Sequence, residues 1–185
     1  MGSYFSACLF LSAGLVFAGS DASKLPNFHQ VDERVYRGAQ PAAKDFAILA
    51  QMGIKTVLDL RDGDGHVRSE EKLAKAAGLR YISLPMHGFE APSEQQITRA
   101  LAILQDAGNG PVFVHCRRGA DRTGTVIACY RIAHDQWPNQ KALDEARGFG
   151  MSSLEFAMRG YVLRYHGNGT PASPVPTIAA ESAAH

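Results

Sequence analysis

A cysteine and an arginine six positions apart, Cys116 and Arg122, stand in the run Val112-Phe113-Val114-His115-Cys116-Arg117-Arg118-Gly119-Ala120-Asp121-Arg122-Thr123-Gly124. A thiolate is a strong nucleophile, and a guanidinium can fork two N–H donors onto two oxygens of one phosphate. The flanking residues say how the pair is held. The β-branched and aromatic residues after Pro111 read as a buried strand. The apolar run Thr125 to Tyr130 reads as a helix entered at about Arg122 or Thr123. A loop caught between a strand end and a helix start turns successive backbone N–H groups inward and adds the positive end of a helix dipole, which makes an anion cradle. The N–H groups from Arg117 to Arg122, that of Ala120 among them, complete it, and Gly119 lets it turn where a side chain would block the ligand. A cysteine at the mouth is expected to have its pKa pulled well below the free value of about 8.5. The spacing therefore predicts a nucleophile set in a phosphate cradle.

The elements that must position this loop can be read in order. Val31 to Gly38 alternates like an edge strand. Ala39-Gln40-Pro41 starts a helix with Pro in its first turn, with Phe46, Leu49, Ala50 and Met52 on its apolar face and Gly53 at its end. Ile54 to Leu60 is a strand of the sheet interior, followed by a loop from Arg61 to His66. Ser69 caps a helix through Ala77, closed by Gly78, and Tyr81 to Met86 is the next strand. Ser93-Glu94-Gln95-Gln96 fits a capping box that opens a helix with Ile97, Ala100, Leu101 and Leu104 on one face. After the signature helix, Trp137-Pro138 breaks the chain, Ala142 to Arg147 is a short helix, and another runs from Ser152-Ser153 through Tyr165. Strands alternating with helices predict an α/β fold, a central parallel or mixed sheet with helices on both faces. Ligands of such sheets sit at the C-terminal edge of the strands, where the loop falls.

The pattern His-Cys-x-x-Gly-x-x-Arg-Thr-Gly resembles the signature loop of the cysteine-dependent phosphatases, in their dual-specificity and atypical branch. Tyr36-Arg37-Gly38-Ala39-Gln40-Pro41 and Gly53 to Arg61 resemble the N-terminal half of bacterial and fungal atypical members, so the likeness covers roughly Val31 to Tyr165. The resemblance implies a dual-specificity-phosphatase-like fold, a covalent phosphocysteine on Cys116, hydrolysis of phosphate monoesters, and no metal or other cofactor. Cys116 and Arg122 are the expected catalytic pair. Thr123 has a hydroxyl placed to donate to the thiolate or to cap the helix, and His115 is expected to orient the loop by hydrogen bonds to nearby backbone. Arg117 and Arg118 are solvated loop arginines or substrate-binding ones. In the second case they resemble the basic loops of members that act on inositol polyphosphates. A nucleotide-binding Gly-x4-Gly-Lys-Ser/Thr loop is absent.

The leaving oxygen of an ester needs a proton. The family usually supplies it from an Asp in an upstream loop, but Leu84 to Glu90 contains no Asp. Asp121, inside the signature loop, is the leading candidate on the analogy of bacterial relatives with an Asp there. Otherwise it pairs with Arg117 or Arg118 or takes a backbone N–H to stiffen the loop. Glu90, His87, Asp62 and Asp64 are the substitutes. Asp62, Asp64 and His66 lack the full calcium-loop pattern.

At 185 residues there is room for one domain with a real core, assigned to residues 25–166. A hydrophobic share of 45%, a charged share of 20% and a net charge of +1 give no global pull toward nucleic acid or membrane. The expected partner is a phosphorylated protein or inositol phosphate, bound by a monomer. Ala7 to Ala18 is an uncharged apolar run of signal-peptide length without Lys or Arg upstream of it. Residues 1–20 are therefore expected to be a cleaved signal peptide and the protein exported, periplasmic or secreted, with a cytoplasmic location as the alternative. Cys8 would leave with that segment, and Cys129 reads as a packed thiol. Residues 167–185 read as a disordered tail, with a glycosylation sequon at Asn168-Gly169-Thr170. Two other functions stay open: an inactive phosphate-binding module, and a sulfur- or arsenate-handling enzyme built on the same type of loop.

Overall fold

The computed structural model describes residues 25–167. The expected signal peptide, Cys8, the sequon and the tail beyond Gly167 lie outside them. Five strands form one sheet: β1 (His29–Gln30), β2 (Val35–Ala39), β3 (Thr56–Asp59), β4 (Arg80–Ser83) and β5 (Val112–Cys116), in the order β1-β2-β5-β3-β4. β1 runs antiparallel to β2, and the other pairings are parallel. Six α-helices accompany it: α1 (Asp45–Gln51), α2 (Asp64–Ala76), α3 (Glu94–Gln105), α4 (Asp121–Ala133), α5 (Asn139–Gly148) and α6 (Phe156–Arg164). The sheet is mixed with helices on both faces, as the alternating pattern predicts.

The alternation along β5 divides the core. Val112, Val114 and Cys116 point into a cluster with Ile97, Leu101 and Leu104 of α3 and Val126, Ile127 and Tyr130 of α4. Phe113 points the other way, to Phe46 and Leu49 of α1 and Ala74 of α2. Burying five consecutive residues of a parallel strand on both faces explains the unbroken apolar run. α4 is buried from Thr123 to Tyr130 because α5 and α6 cover its remaining side through Ala142, Leu143, Ala146 and Val162. The register brings Ala39 opposite Cys116 and Asp59 opposite His115, so three parallel strands end together beneath the signature loop.

Several expected boundaries move. The edge is β1, and β2 is an interior strand, because Asp32 Oδ1 accepts from the N–H groups of Arg34 and Val35 and turns the chain between the two. The first helix begins at Asp45 rather than Pro41, with Asp45 Oδ2 accepting from the Ala42 N–H. α2 begins at Asp64, inside the expected loop. Gly63 at φ 106° supplies a left-handed entry that a side chain would resist. α5 is longer than expected and α6 starts only at Phe156. The capping box is present in both directions, Ser93 Oγ accepting from the Gln96 N–H and Gln96 Oε1 from the Ser93 N–H. Cys129 is fully buried, and burial pushes its thiol pKa up.

Candidate active site

The loop from Cys116 to Asp121 is shaped from outside by its carbonyls. The Arg117 carbonyl accepts from the Gln40 N–H, the Arg118 carbonyl from Asn27 Nδ2, and the Gly119 carbonyl from Arg37 Nη2 at 2.7 Å. Three successive carbonyls are thus held by β2 and the residues on either side of it. The N–H groups of Arg117, Arg118, Gly119 and Ala120 donate to no protein acceptor among the described residues. Peptide groups tied at oxygen and open at nitrogen are what an anion cradle requires. Gly119 sits at φ 69°, and a Cβ there would land on the Gly38 carbonyl. Arg37 is almost wholly buried, and its Nε and Nη1 have no partner. Burial lowers its pKa to about 10 although Glu145 and Cys116 pull the other way, and its guanidinium stacks 4.0 Å over the Phe149 ring.

Cys116 is 2% exposed and ends β5. α4 begins at Asp121, with Ala120 as N-cap residue making no side-chain capping bond. Thr123 is therefore inside the helix and not its cap. Its hydroxyl is buried without a hydrogen-bond partner, so the expected bond to Cys116 is also not made. Arg122 turns Nη1 to Asp62 Oδ1 at 2.8 Å and to the Met86 carbonyl at 3.1 Å. Both bonds are made by one nitrogen, so the Nε–Nη2 edge has no protein partner among the described residues.

On the opposite face of β5, His115 is fully buried against charge rather than backbone. Its Nε2 lies 2.8 Å from Glu70 Oε1 and 3.9 Å from Asp59 Oδ1. The nearer contact is close in distance but outside hydrogen-bond alignment, and the backbone contact that was expected is a long one, Nδ1 to the Cys116 carbonyl at 3.4 Å. Arg61 Nη2 bridges Asp59 at 2.6 Å and Glu70 at 2.5 Å, and Tyr81 donates to Asp59. Burial pushes the Asp59 carboxyl up, but the Arg61 hydrogen bonds, the His115 charge and Tyr81 outweigh it and hold it below the usual range. Asp59, Glu70 and His115 bring three possible metal ligands within 4.8 Å of one another. The guanidinium already bonded to both carboxylates supplies the positive charge there.

The loop residues line two cavities. One, of about 360 Å³, is bounded by Gly88, Phe89, Cys116, Arg117, Arg118, Asp121, Arg122, Glu155 and Met158. The other, of about 400 Å³, is bounded by Gln40, Arg61, Asp62, Arg117 and Arg122. The structure thus brings Cys116, Arg117, Arg118, Asp121 and Arg122 together as the sequence predicts.

The sequence matches the family described as DSP-PTPase phosphatase fused to NAD+ Kinase over residues 20–159. The chain belongs to this DSP-PTPase family. It is 34% identical over 127 residues to the dual specificity protein phosphatase TpbA of Pseudomonas aeruginosa, covering 67% of this chain and 56% of TpbA. It is 30% identical over 127 residues to the inositol diphosphatase DSP1 of Oryza sativa, covering 66% of this chain and 56% of that protein. The chain therefore spans little more than half the length of these relatives. The crystal structure of P. aeruginosa TpbA superposes with a TM-score of 0.67 at 31% identity, over 79% of this chain and 89% of that one. The core catalytic domain of the PP-IP phosphatase SIW14 from Saccharomyces cerevisiae superposes with a TM-score of 0.69 at 25% identity, over 80% and 90%.

Within this DSP-PTPase frame the candidate acids separate. Asp121 is engaged at both oxygens: Oδ2 by Arg118 Nη2 at 2.5 Å and Oδ1 by the Ser152 N–H at 2.9 Å. That is the loop-stiffening arrangement. Asp62 is paired with Arg122. Slight burial pushes its carboxyl up, but hydrogen bonds from its own backbone, Arg122 and His87 hold it below the usual carboxylate range. His87 is exposed and lies 3.3 Å from Asp62, Glu90 is exposed, and Asp64 falls on the first turn of α2. Sequence reasoning missed Arg37, Asn27, Glu70 and Glu155. Only Arg37 carried a signal, its place in the Tyr36 to Pro41 segment.

Proposed function

We propose that this chain hydrolyses phosphate monoesters through a phosphocysteine intermediate on Cys116. The observation that carries the reading is the loop whose carbonyls are tied to Gln40, Asn27 and Arg37 while its N–H groups stay open around Cys116. A phosphoryl group seated there receives the loop N–H donors and the free Nε–Nη2 edge of Arg122, which favour the charge spread over its equatorial oxygens in the transition state. The Cys116 thiolate attacks phosphorus in line, the ester P–O bond breaks, and water later displaces the thiolate and releases phosphate. Asp62 and the Met86 carbonyl hold the far end of Arg122, so the guanidinium is set before substrate arrives.

The cavity with Phe89 and Met158 gives the leaving group an apolar wall, which fits the side chain of a phosphorylated protein, phosphotyrosine above all. A second reading, an inositol phosphate or diphosphate, is favoured by the adjoining cavity, which shares Arg117 and Arg122 with the first and could take another phosphate. Kinship supports both: TpbA is a dual specificity protein phosphatase and DSP1 an inositol diphosphatase. Phosphate release from phosphotyrosine and phosphoserine peptides, phosphoinositides and inositol phosphates, with and without EDTA, tests the proposal. Turnover unaffected by EDTA supports it, and no release from any substrate overturns it. Turnover of thiosulfate or arsenate above that of phosphate esters would assign the loop to sulfur or arsenate chemistry. Export is the part of the proposal that rests on the Ala7 to Ala18 run alone. It expects a mature chain beginning near Gly19 or Asp21 on N-terminal sequencing, against an intact Met1.

A further inference from the structure

Glu155 is 4% exposed, yet it lies in the wall of the cavity that contains Cys116, Asp121 and Arg122. It stands at the N-cap position of α6 but its side chain makes no capping bond, and its Oε2 has no hydrogen-bond partner. A buried, unpartnered carboxyl oxygen costs stability, so its place in the wall calls for a use. The other carboxylates at the loop are committed elsewhere: both Asp121 oxygens to Arg118 and Ser152, and Asp62 to Arg122. We propose that Glu155 is the general acid of the reaction, donating its proton to the leaving oxygen from the cavity wall.

The inference rests on the phosphatase reading and adds the proton to it. As Cys116 Sγ bonds to phosphorus and the P–O bond breaks, the electron pair of that bond takes the Glu155 proton, giving a free hydroxyl compound and a carboxylate. In the second step the same carboxylate takes a proton from water as the water oxygen attacks phosphorus. The S–P bond breaks, and thiolate, phosphate and protonated Glu155 are restored. The surroundings keep the acid loaded: burial and the Asp121 charge raise the Glu155 pKa, against the opposing pull of Arg118, Arg122 and the Phe89 N–H. Asp121 thus acts through Glu155, as a positioning residue whose negative charge favours the protonated form.

The test compares kcat/KM for phosphotyrosine, whose leaving phenol has an ordinary pKa of about 10, with p-nitrophenyl phosphate, whose leaving oxygen needs little protonation. Glu155→Gln should lose about 10²- to 10³-fold on phosphotyrosine and at least tenfold less on the nitrophenyl ester. It should also lose the alkaline descending limb of the pH profile. Glu155→Asp should recover part of the phosphotyrosine rate. Asp121→Asn should move that limb to lower pH while keeping the wild-type ratio between the two esters. Equal losses on both esters in Glu155→Gln, or a leaving-group-dependent loss in Asp121→Asn alone, would overturn the assignment while an active wild type keeps the phosphatase reading. An inactive wild type would remove both. If Glu155→Gln fails to fold by thermal melt, the ester ratio of Glu155→Asp decides, an unchanged ratio counting against Glu155.

Discussion

Two groups of buried charge flank β5, on the two faces that Cys116 and His115 define. On the His115 face, Asp59, Glu70, Arg61 and Tyr81 close on one another, with the guanidinium bridging both carboxylates. On the Cys116 face, Glu155 Oε2 and the Thr123 hydroxyl have no partner, and the loop N–H groups are open. The first group spends most of its polar capacity inside the protein, only Glu70 Oε1 and His115 Nε2 meeting at 2.8 Å without hydrogen-bond alignment, and joins β3, β5 and α2. The second withholds it for a ligand. Paired burial contributes position, and unpaired burial contributes chemistry at some expense of stability. The contrast makes a practical rule: substitutions on the His115 face should move stability, and those on the Cys116 face should move turnover.

The largest effect expected is on turnover. Cys116→Ser should lose at least about a thousandfold in kcat because the replacement hydroxyl is a poor nucleophile, while retaining phosphate in the cradle by equilibrium binding and a wild-type melting curve. Arg122→Lys should lose about 10²- to 10³-fold, since an ammonium cannot make the two-pronged contact; a loss under tenfold would mean the loop N–H groups alone hold the phosphoryl oxygens. Across the sheet, Glu70→Gln should destabilise by about 3–5 kcal/mol in denaturant unfolding, because it leaves Arg61 and His115 buried beside a neutral partner. Its folded fraction should lose much less turnover than Arg122→Lys. The reverse ranking, with Glu70→Gln stable and inactive, would break the comparison.

Much of this was legible because it is local. The strand, loop and helix from Val112 to Tyr130 are one continuous pattern, and the capping box at Ser93 is a four-residue signal. What was not legible depends on chain segments that meet only in the fold. Glu155 shares a cavity with Cys116 because α6 packs on α4 through Val162 and its neighbours. Nothing in Ser152 to Phe156 distinguishes it from a surface acid, and in the structure Leu154 and Phe156 on either side are exposed while it is buried. Glu70 directly follows Ser69, the expected cap, and carries no signal of its own. The earlier start of α2 at Asp64 turns it inward, and that start depends on the backbone angle at Gly63. Thr123 shows the opposite failure: a motif residue correctly singled out whose hydroxyl makes neither bond expected of it.

A smaller effect sharpens the contrast through pH. The Asp59 carboxyl is held below its ordinary value, so its stabilisation is present above the unfolded pKa of about 3.9 and is lost as pH falls through the lower folded value. Glu155 is raised, so its contribution has the opposite sign, present below the unfolded pKa and lost as pH rises through the folded one. Urea unfolding against pH should therefore show Glu155→Gln flattening the decline above the ordinary carboxylate range while leaving the acid-side loss in place. A variant curve parallel to the wild type would mean that Glu155 ionises as an ordinary surface carboxyl.

The account turns on one covalent bond. Turnover with an aryl phosphate, quenched in acid and digested, should yield a phosphorylated peptide containing Cys116, with none on Cys129 and none at all in Cys116→Ser. Phosphate released at the wild-type rate by Cys116→Ser, or phosphorus carried by any other side chain, would contradict it.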